Sequence, residues 1–124
     1  MSDMRADLAG ESRSDLAASF PGIGRQYVAR FPDFQFELCF HSSSSLTWTK
    51  LHDGGGRGPS ETEAIAIQPV ADLVFVLSWQ EANRTTVVSV QDYGKGLVHT
   101  HVTRADGTFI RASGRLVPVD ASAG

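Results

Sequence analysis

The chain has 124 residues and a formal net charge of −3. That length suits one domain with one core, and its scattered basic residues argue against nucleic acid as a partner, because phosphate binding needs a basic patch. Cys39 is the single cysteine, which excludes an intrachain disulfide and any CxxC motif. No stretch approaches the roughly 18 consecutive apolar residues of a membrane span, so no membrane partner is expected.

In chain order, residues 1–20 read as a polar arm or short helix, carrying Asp3, Asp7, Glu11 and Asp15, with Ser12 or Ser14 as a helix cap near 14–20. The arm has no apolar h-region of a secretory signal, and a cytoplasmic location is expected. A single β-domain is expected over 21–119 and a polar tail over 120–124. Residues 25–31 form a first strand that Pro32 ends. Phe34, Phe36, Leu38 and Phe40 then alternate with Gln35, Glu37, Cys39 and His41, the period of a half-buried strand. The serines at 42–45 turn this strand into the next, 46–51, and a glycine-rich loop follows at 52–59. Further strands are expected at 63–68, 73–80, 85–92, 96–103 and 108–117. Their connections carry turn residues such as Tyr93-Gly94-Lys95 and Ala105-Asp106-Gly107. Eight short strands without crossover helices pair antiparallel and suffice to close a barrel around side chains or one small ligand, with a sandwich as the competing architecture. The inward face of 85–92 stays open, since Val88 and Val90 favour one parity and Val87, Ser89 and Gln91 the other.

Chemistry concentrates at Ser78-Trp79-Gln80-Glu81, where an apolar run ends. With period two, Leu73, Phe75, Leu77, Trp79 and Glu81 share a face, which puts a carboxylate on an apolar wall. Such a group is costly to desolvate unless something pairs with it. Arg57, among the glycines at 54–58, is one candidate partner. In that reading Glu81 transfers a proton and Arg57 fixes a carboxylate, phenolate or enolate of the ligand. The plain alternative is an exposed strand-end glutamate and a solvated loop arginine. The aromatic residues serve as core or as the wall of a ligand cavity, and Tyr27, Phe31, Phe36, Trp48 and Trp79 are the expected ligand contacts. His99 and His101, two apart on one strand, would need Glu81 and further groups to hold a metal, and none is expected. The glycine loop lacks the Gly-Lys-Ser/Thr ending of a phosphate loop. Cys39 alternates with the aromatic stripe and faces away from it.

The hairpin from Phe34 to Trp48, the His52-to-Arg57 loop, the Phe75-to-Glu81 strand and Thr85-Thr86-Val87-Val88-Ser89-Val90-Gln91-Asp92 resemble two related groups over about residues 24–103. One is the domains named for molybdenum cofactor biosynthesis protein F, which the last segment resembles most. The other, more distant, is the bacterial phenolic acid decarboxylases. Both resemblances imply a calycin-type barrel related in shape to lipocalins. The decarboxylase pattern implies a functional arginine and glutamate at Arg57 and Glu81. Its two tyrosines that bind the substrate carboxylate fall near Ala29 and Phe31, so both hydroxyls are missing here.

The expectation is thus an all-β, eight-stranded antiparallel calycin- or lipocalin-like barrel. Its function is that of an enzyme without metal or organic cofactor, an isomerase, cyclase or lyase that uses Glu81 for proton transfer on a small apolar or aromatic metabolite. The alternative is a non-catalytic lipocalin-like binding protein. An exposed sheet edge would also allow a homodimer.

Overall fold

The computed structural model describes residues 20–119. Nine strands run through them: β1 (Gln26–Arg30), β2 (Gln35–Ser42), β3 (Ser45–Leu51), β4 (Arg57–Ala64), β5 (Ala66–Ala71), β6 (Val74–Gln80), β7 (Thr86–Asp92), β8 (Leu97–Thr103) and β9 (Phe109–Pro118). They form one antiparallel sheet in the order β4-β3-β2-β1-β9-β8-β7-β6-β5. The sheet curls until β4 approaches β6 without pairing with it, giving a barrel-type wall with a seam. The expected helix near 14–20 and the tail at 120–124 lie outside the described residues, apart from Phe20. Among the described residues no helix is long and apolar enough to cross a membrane.

The strand count is nine rather than eight because the chain turns a corner within 57–71. Ile65 is buried there and donates its N–H to the Ser44 carbonyl at 3.0 Å, which separates β4 from β5. The expected loop at 52–59 is correspondingly short. Residues 52–56 remain of it, centred on a 3-10 turn, Asp53–Gly55, with Gly54 and Gly55 at φ 86° and 92°, values that glycine adopts without a Cβ penalty. Arg57 already pairs with Leu51 of β3, so it belongs to a strand and not to a mobile loop. Leu73, expected on the inward face of its strand, sits instead in the β5–β6 turn at φ 60° and is exposed.

Elsewhere the two-residue period decides the faces. Leu38 and Phe40 of β2 and Phe75 and Leu77 of β6 are buried. On β7 the inward set is Val87, Ser89 and Gln91, while Val88 is exposed. One end of the barrel is filled by rings. Phe20 packs edge-on against Phe40, Phe75 and Tyr93 at centroid distances of 4.9, 5.0 and 5.0 Å, and Tyr27 lies 5.1 Å from Tyr93. The β2–β3, β5–β6 and β7–β8 turns lie at this closed end. The β1–β2, β6–β7 and β8–β9 turns surround the opposite end, the mouth.

Candidate functional site

Between plug and mouth lies a cavity of about 680 Å³, a volume typical of sites for small organic ligands. Its β1–β3 side is a chain of rings: Phe31 to Phe34 at 4.9 Å, Phe34 to Phe36 at 5.5 Å, and Phe36 to Trp48 at 5.8 Å. Trp79 of β6 joins this apolar lining. Towards the plug the wall turns polar, with Ser89 and Gln91 of β7 and Thr100 of β8. Charged groups, Lys50, Glu81, Arg104 and Asp106, line only the mouth half.

Glu81 follows directly on β6 and is held by a tight turn. Its N–H donates to the Thr85 carbonyl at 2.7 Å and its carbonyl accepts from Arg84 N–H at 2.8 Å, with Arg84 at φ 74°. Its carboxyl lines the cavity, half-buried, and accepts from Trp79 Nε1 at 3.1 Å. Burial pushes its pKa above the usual carboxylate value; the Trp79 bond works against this and the charge of Glu61 adds to it. Arg57 does not meet Glu81. Its Nη2 lies 2.8 Å from Glu37 Oε1, it is largely exposed, and it is not part of the cavity lining. The cause is local: Glu37 alternates with the inward Phe36 and Leu38 of β2, so it faces outward and takes Arg57 with it.

Of the other expected ligand contacts, Phe31, Phe36, Trp48 and Trp79 line the cavity. Tyr27 does not; it is part of the plug. His99 Nδ1 bonds Ser113 Oγ at 2.8 Å and His101 stacks edge-on against Phe109, both on the exposed face. Among the described residues no group of three His, Cys, Asp or Glu side chains can hold a metal ion.

The seam carries acids that the strand reading passed over. Glu63 of β4 is only 5% exposed, and its Oε2 accepts from Trp48 Nε1 at 2.8 Å. Glu61, two residues earlier on the same face, accepts from Ala82 N–H at 3.1 Å and so ties β4 to the β6–β7 turn. Burial pushes Glu63 up to about 7; a hydrogen bond and the negative charge of Glu61, together with the charge of Glu81, add to this against the Trp48 bond. Glu61 is held below its usual value by the Ala82 N–H and by Glu63. The visible signal was Glu61-Thr62-Glu63 running into the apolar Ile65, two glutamates with strand parity.

A raised folded pKa means that the folded state binds the extra proton between the unfolded value and about 7. Stability contributed by this proton is full below the unfolded value, falls as pH rises, and is lost above about 7. Glu63→Gln keeps both hydrogen-bonding roles without the charge. At about pH 8 its melting temperature should exceed that of the wild type by about 5–10 °C, from ~1–2 kcal/mol after solvent screening. Near pH 4.5 the gain should vanish. Thermal unfolding by circular dichroism at the two pH values checks this, and an equal gain at both would refute it.

A family model described as MoaF-like matches residues 23–117. Among solved structures, a crystal structure of a "putative beta-lactamase" from Burkholderia vietnamiensis matches with a TM-score of 0.73 at 26% identity, over 80% of this chain and 96% of that one. No curated protein matches the sequence. Because the family match runs from ahead of β1 to the penultimate residue of β9, the chain belongs to the MoaF-like family.

Proposed function

We propose that the protein binds a small, mostly apolar, ring-bearing organic molecule in its cavity and moves a proton on that molecule with Glu81. One observation carries the reading: a half-buried carboxyl with a raised pKa stands in an aromatic cavity wall, bonded to an indole N–H rather than to Arg57. Such a group takes or gives a proton near neutral pH more readily than a solvated glutamate. Isomerisation, cyclisation and elimination all use that step. Acyl transfer of the kind the neighbour's description suggests is not proposed. The cavity serine, Ser89, bonds to Gln91 and Thr100, and among the described residues to no base that would activate it. Decarboxylation of cinnamic acids is not proposed either, because Ala29 and Phe31 line the cavity with no hydroxyl to bind a carboxylate. Incubation with p-coumarate should release no carbon dioxide above background.

The function is tested without knowing the natural ligand. Planar aromatic ketones should bind with a saturable heat by calorimetry. The ring opening of 5-nitrobenzisoxazole, which needs only a carboxylate base in an apolar site, should be catalysed with saturation. Binding without catalysis would leave a lipocalin-like carrier. No binding at all would reject the cavity as the functional site.

A further inference from the structure

The polar patch near the closed end of the cavity has a defined proton direction. Tyr93 Oη donates to Gln91 Oε1 at 2.6 Å. That bond fixes the amide, so Gln91 Nε2 points along β7 and donates to Ser89 Oγ at 3.1 Å. Ser89 Oγ lies 3.2 Å from Thr100 Oγ1 on the neighbouring strand. Gln91 is 0% exposed and Ser89 2%, yet both line the cavity along with Thr100. Each polar group in the chain therefore has a protein partner, and no buried side-chain polar atom is left without one among the described residues.

Counting protons shows what remains. The two hydroxyls carry two protons, and only one of them lies between the two oxygens. If Ser89 donates to Thr100, the Thr100 proton is left. If Thr100 donates to Ser89, the Ser89 proton is left. Either arrangement leaves one hydroxyl proton that the Ser89–Thr100 bond does not use.

We propose that this spare Ser89–Thr100 hydroxyl proton selects ligands that carry a neutral carbonyl oxygen and seats that oxygen at the closed end of the cavity. The inference deepens the function proposed above and rests on the cavity being the ligand site. A carbonyl oxygen accepts the proton and needs to donate nothing, which suits a hydroxyl pair that keeps one donor to spare. A carboxylate does not suit the same place, since the cationic lining residues, Lys50 and Arg104, belong to the mouth half and burying an uncompensated charge is costly. The ligand thus enters carbonyl first, its rings lie along Phe36 and Trp48, and its outer end comes under Glu81.

The test compares 2-acetylnaphthalene with 2-isopropylnaphthalene, which have nearly the same shape and differ in the oxygen. Water holds the ketone more strongly, so an apolar cavity without a donor would bind the hydrocarbon more tightly. In calorimetry the wild type should bind the ketone at least as tightly as the hydrocarbon. Ser89→Ala with Thr100→Val should weaken the ketone by about 10-fold, the size of one lost hydrogen bond, and leave the hydrocarbon within about two-fold. The stretching band of the bound carbonyl should sit at a hydrogen-bonded frequency in the wild type and move to its value in an apolar solvent in the double variant. Tighter binding of the hydrocarbon by the wild type, or equal loss of both ligands in the variant, would overturn the inference while leaving the cavity as the ligand site. Failure of the wild type to bind either ligand would overturn both. If the double variant does not fold, the wild-type comparison and its carbonyl band decide.

Discussion

Gly114→Ala should destabilise the fold by about 3 kcal/mol and lower the melting temperature by roughly 10–20 °C. Gly114 lies in β9, opposite Val98 of β8, where the strand passes close to β1. A Cβ there would overlap the Arg30 carbonyl oxygen, stand 2.8 Å from the carbon of that carbonyl, and come within 3.0 Å of Phe31 Cδ1. The obstructing atoms are mainly strand backbone, which cannot rotate away as a side-chain end can. The site is also where the sheet is joined. The β1–β9 pairing links β4-β3-β2-β1 to β9-β8-β7-β6-β5, and among the described residues no other ladder connects the two halves. A domain of this size has only about 5–15 kcal/mol in total, so the loss is a large fraction of it. Gly107→Ala is the control: it lies in a turn at φ 90° with nothing within 4 Å of its added Cβ. It should cost only the ~1 kcal/mol of a left-handed backbone. Chemical denaturation measures both. A Gly114→Ala protein no less stable than Gly107→Ala would show that β1 and β9 part without cost.

Much of this architecture is legible from alternation alone. Phe36, Leu38 and Phe40, and Phe75 and Leu77, announce their strands and their inward face because nothing polar interrupts them. The rule weakens where the cavity is. On β7, Ser89 and Gln91 point inward and Val88 outward. Hydrophobicity reads that strand ambiguously because hydrogen bonds across β7 and β8, absent from any one-strand pattern, satisfy the inward polar groups. Composition misleads at β4 as well. Residues 52–59 read as loop, yet β4 begins at Arg57, and an edge strand tolerates Gly58 and Pro59 because only one side of it needs pairing. A bulge in the β3–β4 ladder between Thr49 and Leu51 then breaks the two-residue period of β4, so Arg57 lies on the outer face with Glu37 and not beside Glu81. The sequence places Phe20 at the end of a polar arm; what buries it is a set of rings on β2, β6 and the β7–β8 turn. The spacing of Glu61 and Glu63 puts both on one face of a strand, but their meeting with the β6–β7 turn depends on the sheet's curl bringing β4 to β6, a relation between strands that no local pattern contains.

Glu81→Gln should remove at least about 100-fold of the ring-opening rate of 5-nitrobenzisoxazole, the usual size of general acid–base assistance. Affinity for 2-acetylnaphthalene should stay within about three-fold, since the amide keeps the shape and can still accept from Trp79. The pH profile distinguishes this from a structural effect. The reaction needs the ionised carboxylate, so the rate rises with pH through the pKa of Glu81. Burial places that midpoint above the ordinary glutamate value. Glu61→Gln removes a negative neighbour that favours the protonated form, so it should lower the midpoint. Trp79→Phe removes the hydrogen bond that favours the carboxylate, so it should raise the midpoint. Opposite displacements by two neighbours are hard to obtain from loosened packing, which would lower the rate without moving the midpoint in both directions. Arg57→Ala should change neither rate nor affinity, because its partner is Glu37 on the outer face. An unchanged rate in Glu81→Gln, or a loss in Arg57→Ala as large as that in Glu81→Gln, would remove Glu81 from the chemistry.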